Sequence, residues 1–115
     1  STYNLNTEIP IGTWIDNKTI YRNIKKINNF ISSSTLDISS LNISELIRLS
    51  GTVVGRGTYN NVYDIYKSTI DVNAWNFDVY CDLSGKKIYY STGSNVRPQV
   101  GTSGYMLIFL YYTKN

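Results

Sequence analysis

The sequence contains no histidine, a single cysteine (Cys81) and two prolines, and only 17% of its 115 residues are charged. Without histidine the chain lacks the commonest metal ligand, the usual general base and the side chain that titrates near neutrality. One cysteine can close no internal disulfide and build no thiolate zinc site. Its alternation with Val79 and Phe77 marks Cys81 as a small apolar core residue rather than a reactive thiol. Charge is scarce against the roughly 25% of an ordinary globular chain, which excludes a disordered tail or a coiled coil. The longest apolar run, Tyr105 to Tyr112, has eight residues, where a bilayer-crossing helix needs about 20, so no membrane insertion is expected. The carboxylates carry no positional motif. Asp64, Asp71, Asp78 and Asp82 could supply a glycosidase pair only by free choice among eight acids. Asp71-x-Asn73 starts like a calcium loop, but Trp75 stands at the third ligand position. Gly101-Thr102-Ser103-Gly104 lacks the spacing of a nucleophile elbow. The expectation is a chain that is not an enzyme and has no catalytic residue, cofactor or metal.

What the chain has is tyrosine: eleven of them, within 14% aromatic and 42% hydrophobic residues. That suffices for one compact core and leaves no room for a second domain. Residues 1–7 are polar and unpatterned, a linker remnant; residues 8–115 form the single domain. The net charge of +3 is scattered over Lys18, Lys25, Lys26, Arg48, Lys67, Lys86 and Lys87. A nucleic-acid binder gathers its positive charge into a stripe with aromatics between, so no nucleic acid is expected. Lysines on strand edges that resist sheet-to-sheet aggregation explain the pattern better.

Short β segments follow one another. Ile9 to Ile15 and Thr19 to Ile27 flank Asp16-Asn17, a turn pair that tolerates positive φ, and make a hairpin. Leu36 to Ile38 is a short strand. Asn42 with Glu45 three residues later has capping-box spacing and predicts one helical turn at most. Ile47, Leu49, Gly51 and Val53 alternate with polar or small residues, as in a half-buried strand. In Val72 to Asp82, Trp75, Phe77, Val79 and Cys81 share one face, while Asn76, Asp78, Tyr80 and Asp82 share the other. Leu83-Ser84-Gly85 turns the chain into Lys87 to Thr92. Gly93 to Gly104 reads as the longest loop, and Tyr105 to Thr113 closes the chain. The sum is an all-β, antiparallel β-sandwich of seven to eight short strands with long loops.

Two segments stand out as candidate surfaces. Tyr59, Asn60, Asn61, Tyr63 and Tyr66 make a Tyr/Asn-rich loop; Tyr gives contact area at low entropy cost and Asn gives adaptable hydrogen bonds, the mix that suits recognition. These five are the receptor-binding candidates. The last strand is apolar on both faces, with Tyr105, Leu107, Phe109 and Tyr111 on one and Met106, Ile108, Leu110 and Tyr112 on the other. A two-layer sandwich covers only one face of each sheet, and the uncovered residues would form an unusual patch on a monomer. Tyr105, Leu107, Phe109 and Tyr111 are therefore trimer-contact candidates, and a homotrimer is expected.

The segment EIPIGTWIDNKTIYR (Glu8 to Arg22) resembles a motif of bacteriophage and prophage structural proteins: an IGTW strand, an Ile-Asp-Gly-Lys turn, then an aromatic and a basic residue. Gly12, Thr13, Trp14, Ile15, Asp16, Lys18, Ile20, Tyr21 and Arg22 match it, with Asn17 in place of the usual Gly. Leu36 to Gly51 and the closing LIFLYYTKN are similar to the middle block and last strand of the same family. The resemblance implies a trimeric β-sandwich head at the tip of a tail fibre or baseplate appendage, on the virion tail after assembly in the host cytoplasm. It implies a bacterial surface glycan or protein as partner. A trimerisation or capping domain without receptor contact, and a polysaccharide depolymerase tip, are the alternatives it leaves open.

Overall fold

The computed structural model describes residues 3–28, 34–58, 60–65, 77–92 and 97–115. Among the described residues, eight antiparallel strands form two sheets: β1 (Ile9–Thr13), β2 (Thr19–Asn28), β8 (Tyr105–Lys114), β4 (Ile43–Val54) and β5 (Val62–Asp64) in one, and β3 (Ser34–Asp37), β7 (Lys87–Thr92) and β6 (Phe77–Asp82) in the other. The expected β-sandwich is what the chain forms.

The hairpin between β1 and β2 turns at Asp16-Asn17, and Asn17 has φ 68°, the left-handed backbone expected of that pair. The Asp16 carboxylate accepts the Lys18 amide at 3.0 Å, and the Trp14 amide donates to the Lys18 carbonyl at 2.8 Å. The capping-box reading of Asn42 and Glu45 is corrected. A 3₁₀ turn forms earlier, at Ser39–Leu41, and Asn42 ends it with φ 54°. Asn is one of the few residues that adopt this conformation cheaply, so it stops the turn and hands Glu45 to β4. Within the segment read as the long loop, Arg97–Val100 makes a four-residue helical turn.

β8 lies in the centre of the larger sheet, paired with β2 from Tyr21↔Tyr112 to Asn28↔Tyr105 and with β4 along its whole length. Its inner face, Met106, Ile108, Leu110 and Tyr112, is fully buried and meets Ile38 and Ile88 of the smaller sheet's layer. Val79 and Cys81 face inward beside them, as their alternation predicts, while residues 72–76 of the expected strand, Trp75 and Asn76 among them, lie outside the described residues. Burial pushes the Cys81 thiol up, which favours its protonated form. A bulge at Ile47 shifts the phase of β4, so that Leu46 joins Leu49 and Val53 on the core side instead of Ile47. Gly51 is required where β4 crosses β8, because a Cβ there would collide with the Leu107 carbonyl oxygen.

One polar cluster closes the sandwich. The Tyr112 hydroxyl donates to Glu8 at 2.6 Å, Lys114 Nζ donates to the other Glu8 oxygen at 2.9 Å, and buried Asn23 donates to the Tyr112 oxygen at 3.5 Å. Desolvation raises the Glu8 pKa, but the hydrogen bonds from Tyr112 and Lys114 and the Lys114 charge outweigh it and hold the carboxyl below its ordinary value. Burial, then the bond to Glu8, pushes the Tyr112 phenol up. Residues 1–7, expected as a linker remnant, are tied down where they are described. The Asn6 amide donates to the Ile24 carbonyl at 2.9 Å, Asn6 accepts from Lys25 Nζ at 3.1 Å, and the Tyr3 ring lies 4.5 Å beneath the Arg22 guanidinium.

Candidate functional site

The side chains of the expected trimer-contact set, Tyr105, Leu107, Phe109 and Tyr111, share the outer face of the larger sheet. They are half-buried, not bare. Their cover comes from cations and from the N-terminal segment. Register places Arg22 of β2 and Arg48 of β4 on either side of Tyr111, Ile24 and Ser50 on either side of Phe109, and Lys26 and Thr52 on either side of Leu107. Lys26 Nζ stands 4.4 Å from the Tyr105 ring centre and the Arg48 guanidinium 5.8 Å from that of Tyr111. Cations in these positions are held by the ring quadrupole while their stems cover apolar surface. Beside them Tyr3 and Leu5 wall a shallow groove of about 390 Å³ whose floor is Ile24, Leu107 and Phe109.

This arrangement gathers Arg22 and Lys26 of β2 and Arg48 of β4 onto one face. Among the described residues the recorded ion pair is Lys114–Glu8, on another part of the molecule. The buried Arg22 Nε has no hydrogen-bond partner. Two acids border the face: Asp64, exposed in β5 opposite Thr52, and Glu45, which accepts the Trp14 indole N–H at 3.0 Å.

The Tyr/Asn segment is described only in part. Tyr59 and Tyr66 lie outside the described residues. Asn60 is exposed, and the Asn61 carbonyl accepts the Gly55 amide at 2.7 Å. Tyr63 belongs to β5 and pairs with Val53, so part of the expected loop is an edge strand of the larger sheet. Of the acids weighed for a glycosidase pair, Asp64 and Asp82 stand in different sheets, Asp82 accepts the Gly85 amide at 3.1 Å, and Asp71 lies outside the described residues.

The smaller sheet shows an aromatic display that alternation alone did not single out. Tyr80 and Tyr89 are direct cross-strand partners on its outer face and stack at 4.9 Å with 11° between ring planes. The signal was present in the period-2 pattern of β6 and β7 but needed their register. Residues of the IGTW block serve mainly to fasten the hairpin: Trp14 reaches Glu45, Lys18 Nζ reaches the Ser44 hydroxyl at 3.2 Å, and Tyr21 packs at 6.2 Å from Tyr112. Ile15, at the tip, is 89% exposed.

No family model, no curated protein and no solved structure matches this chain.

Proposed function

We propose that this domain is an adhesive head of a bacteriophage or prophage tail fibre or baseplate appendage, binding a receptor on the bacterial surface. The observation that carries the reading is the outer face of the larger sheet. It joins half-buried aromatics, flanking cations and a shallow groove on a rigid strand triplet, which offers contact area instead of a catalytic cleft. The resemblance of Glu8 to Arg22 to phage structural proteins supports the setting. The test is adsorption of the labelled, purified chain to a panel of bacterial strains. Saturable binding to some strains and not to others is expected; adherence to none across the host range would overturn the reading.

A second reading, a trimerisation or capping domain, is favoured by the apolar floor of the same groove, Ile24, Leu107 and Phe109. Sedimentation equilibrium separates the two. A trimer that dissociates on Leu107→Asp or Phe109→Asp substitution, with adsorption per folded molecule unchanged, supports the structural role.

A further inference from the structure

We infer that the outer face of the larger sheet is a site for an acidic polysaccharide, with Arg22 and Arg48 meeting one anionic group and Lys26 the next along the polymer. The inference rests on the adhesive reading above and gives its ligand a chemical class. Strands in a sheet stand about 4.8 Å apart, so Arg22 and Arg48, on either side of Tyr111, have their backbones about 10 Å from each other. A carboxylate or phosphate above the Tyr111 ring lies within reach of both long side chains. Lys26 is four residues from Arg22 on the same face of β2, about 13 Å further along, and marks a second anionic subsite. Between the two, Phe109 and Leu107 are flanked by Ile24, Ser50 and Thr52, an apolar floor on which the C–H face of a sugar ring can rest. The Arg22 guanidinium lies over the Tyr3 ring at the wall of the groove, which holds this cation beside the aromatic row.

Charge selects this occupant over others. A second copy seated face to face would bring two sets of Arg22, Lys26 and Arg48 into one contact, a concentration of like charge that is costly to bury. An extended acidic peptide gains its affinity by adding a strand to a sheet edge, whereas β8 is paired on both sides and has no backbone groups to offer. Nucleic-acid binders commonly neutralise 6–10 phosphates; three cations bordered by exposed Asp64 make a poor match to that density.

The test is equilibrium binding of the whole chain to polygalacturonate and polyglycerol phosphate, with neutral dextran and a single-stranded DNA oligomer as comparisons. At least one acidic polymer is expected to bind, more weakly as salt rises, and dextran is not. Arg22→Gln with Arg48→Gln should weaken that binding about ten-fold or more, the loss of charge-assisted hydrogen bonds. Lys86→Gln with Lys87→Gln, an equal change in net charge on the other sheet, should change it less than about two-fold. Thermal unfolding checks each variant, and exposed Arg48→Gln alone carries the test if the double variant does not fold. Binding dextran equally, losing equal affinity through the Lys86/Lys87 pair, preferring DNA, or binding neither acidic polymer overturns the inference. A chain that adheres to bacteria yet ignores acidic polymers leaves the adhesive reading standing and this one fallen. A chain that binds acidic polymers through Arg22 and Arg48 but adheres to no cell does the reverse.

Discussion

The inner and outer faces of β8 share one ten-residue backbone and are covered by different means. On the inner face Met106, Ile108, Leu110 and Tyr112 pack against a second sheet and are lost to solvent entirely. On the outer face Tyr105, Leu107, Phe109 and Tyr111 keep part of their surface, under Arg22, Lys26 and Arg48 and beside Tyr3 and Leu5. A strand that is apolar on both faces therefore does not by itself demand a partner subunit. Long cationic side chains can shield aromatic surface from water and still present charge to a ligand. The inner face contributes stability; the outer face keeps apolar and charged groups available together.

The largest expected effect tests that contrast directly. Ile108→Ala, on the inner face, should cost about 3–4 kcal/mol by opening a cavity in a close-packed core. Leu107→Ala, one residue away on the outer face, should cost about 1 kcal/mol, because its surroundings can relax toward solvent. Urea denaturation of both variants measures the gap, and equal losses would show that something covers the outer face as completely as the inner. Next comes Gly51→Ala, expected to cost about 2–3 kcal/mol, since the new methyl group meets a backbone oxygen of β8 that cannot move aside as a side chain would. Its thermal midpoint should fall more than that of Gly12→Ala, where a Cβ meets open space.

Glu8→Gln sharpens the picture at the margin between the faces. Losing charge-assisted bonds from Tyr112 and Lys114 should cost about 1.5–2 kcal/mol at pH 7. The folded state depresses the Glu8 pKa below its ordinary 4.5, so its contribution is complete above that value and disappears as pH falls through the folded pKa. The stability gap between wild type and Glu8→Gln should stay constant from pH 7 to about pH 5 and narrow below it. A gap unchanged at pH 3 would mean that the carboxylate charge plays no part. The smallest expected effect on stability is that of Arg48→Gln, about 0.5 kcal/mol for one exposed cation over a ring.

Much of this architecture is legible in local pattern. Alternation in Tyr105 to Tyr112 assigns these eight side chains of β8 to their correct faces, and Asp16-Asn17 and Val79-Tyr80-Cys81 read correctly for the same reason: the periodicity and turn chemistry involved are short-range. Asn42 and Glu45 mislead because the i, i+3 spacing fits a capping box equally well whether Asn42 opens a turn or ends one. Ile47 misleads because a bulge changes the phase of a strand without any mark in its composition. The candidate site was half visible. The aromatic row is contiguous in sequence, but the cations that complete it come from β2 and β4, and only the strand order β2-β8-β4 brings Arg22 and Arg48 to either side of Tyr111. Scattered charge along a β chain is thus weak grounds for inferring scattered charge on its surface.

The central place of β8 also governs the order in which this molecule can be assembled. β2 and β4 each have their principal partner in a strand that leaves the ribosome after both of them, so neither can complete its ladder before β8 has been synthesised. Until residues 105–114 arrive, the nascent chain carries two long strands with open edges, the kind that pair with the wrong neighbour. Folding must be a largely all-or-none event that waits for distant contacts, and slow for a domain of this size. A product ending before Tyr105 would lose more than a strand: it would be a pair of hydrogen-bonding templates without the insert that keeps them apart.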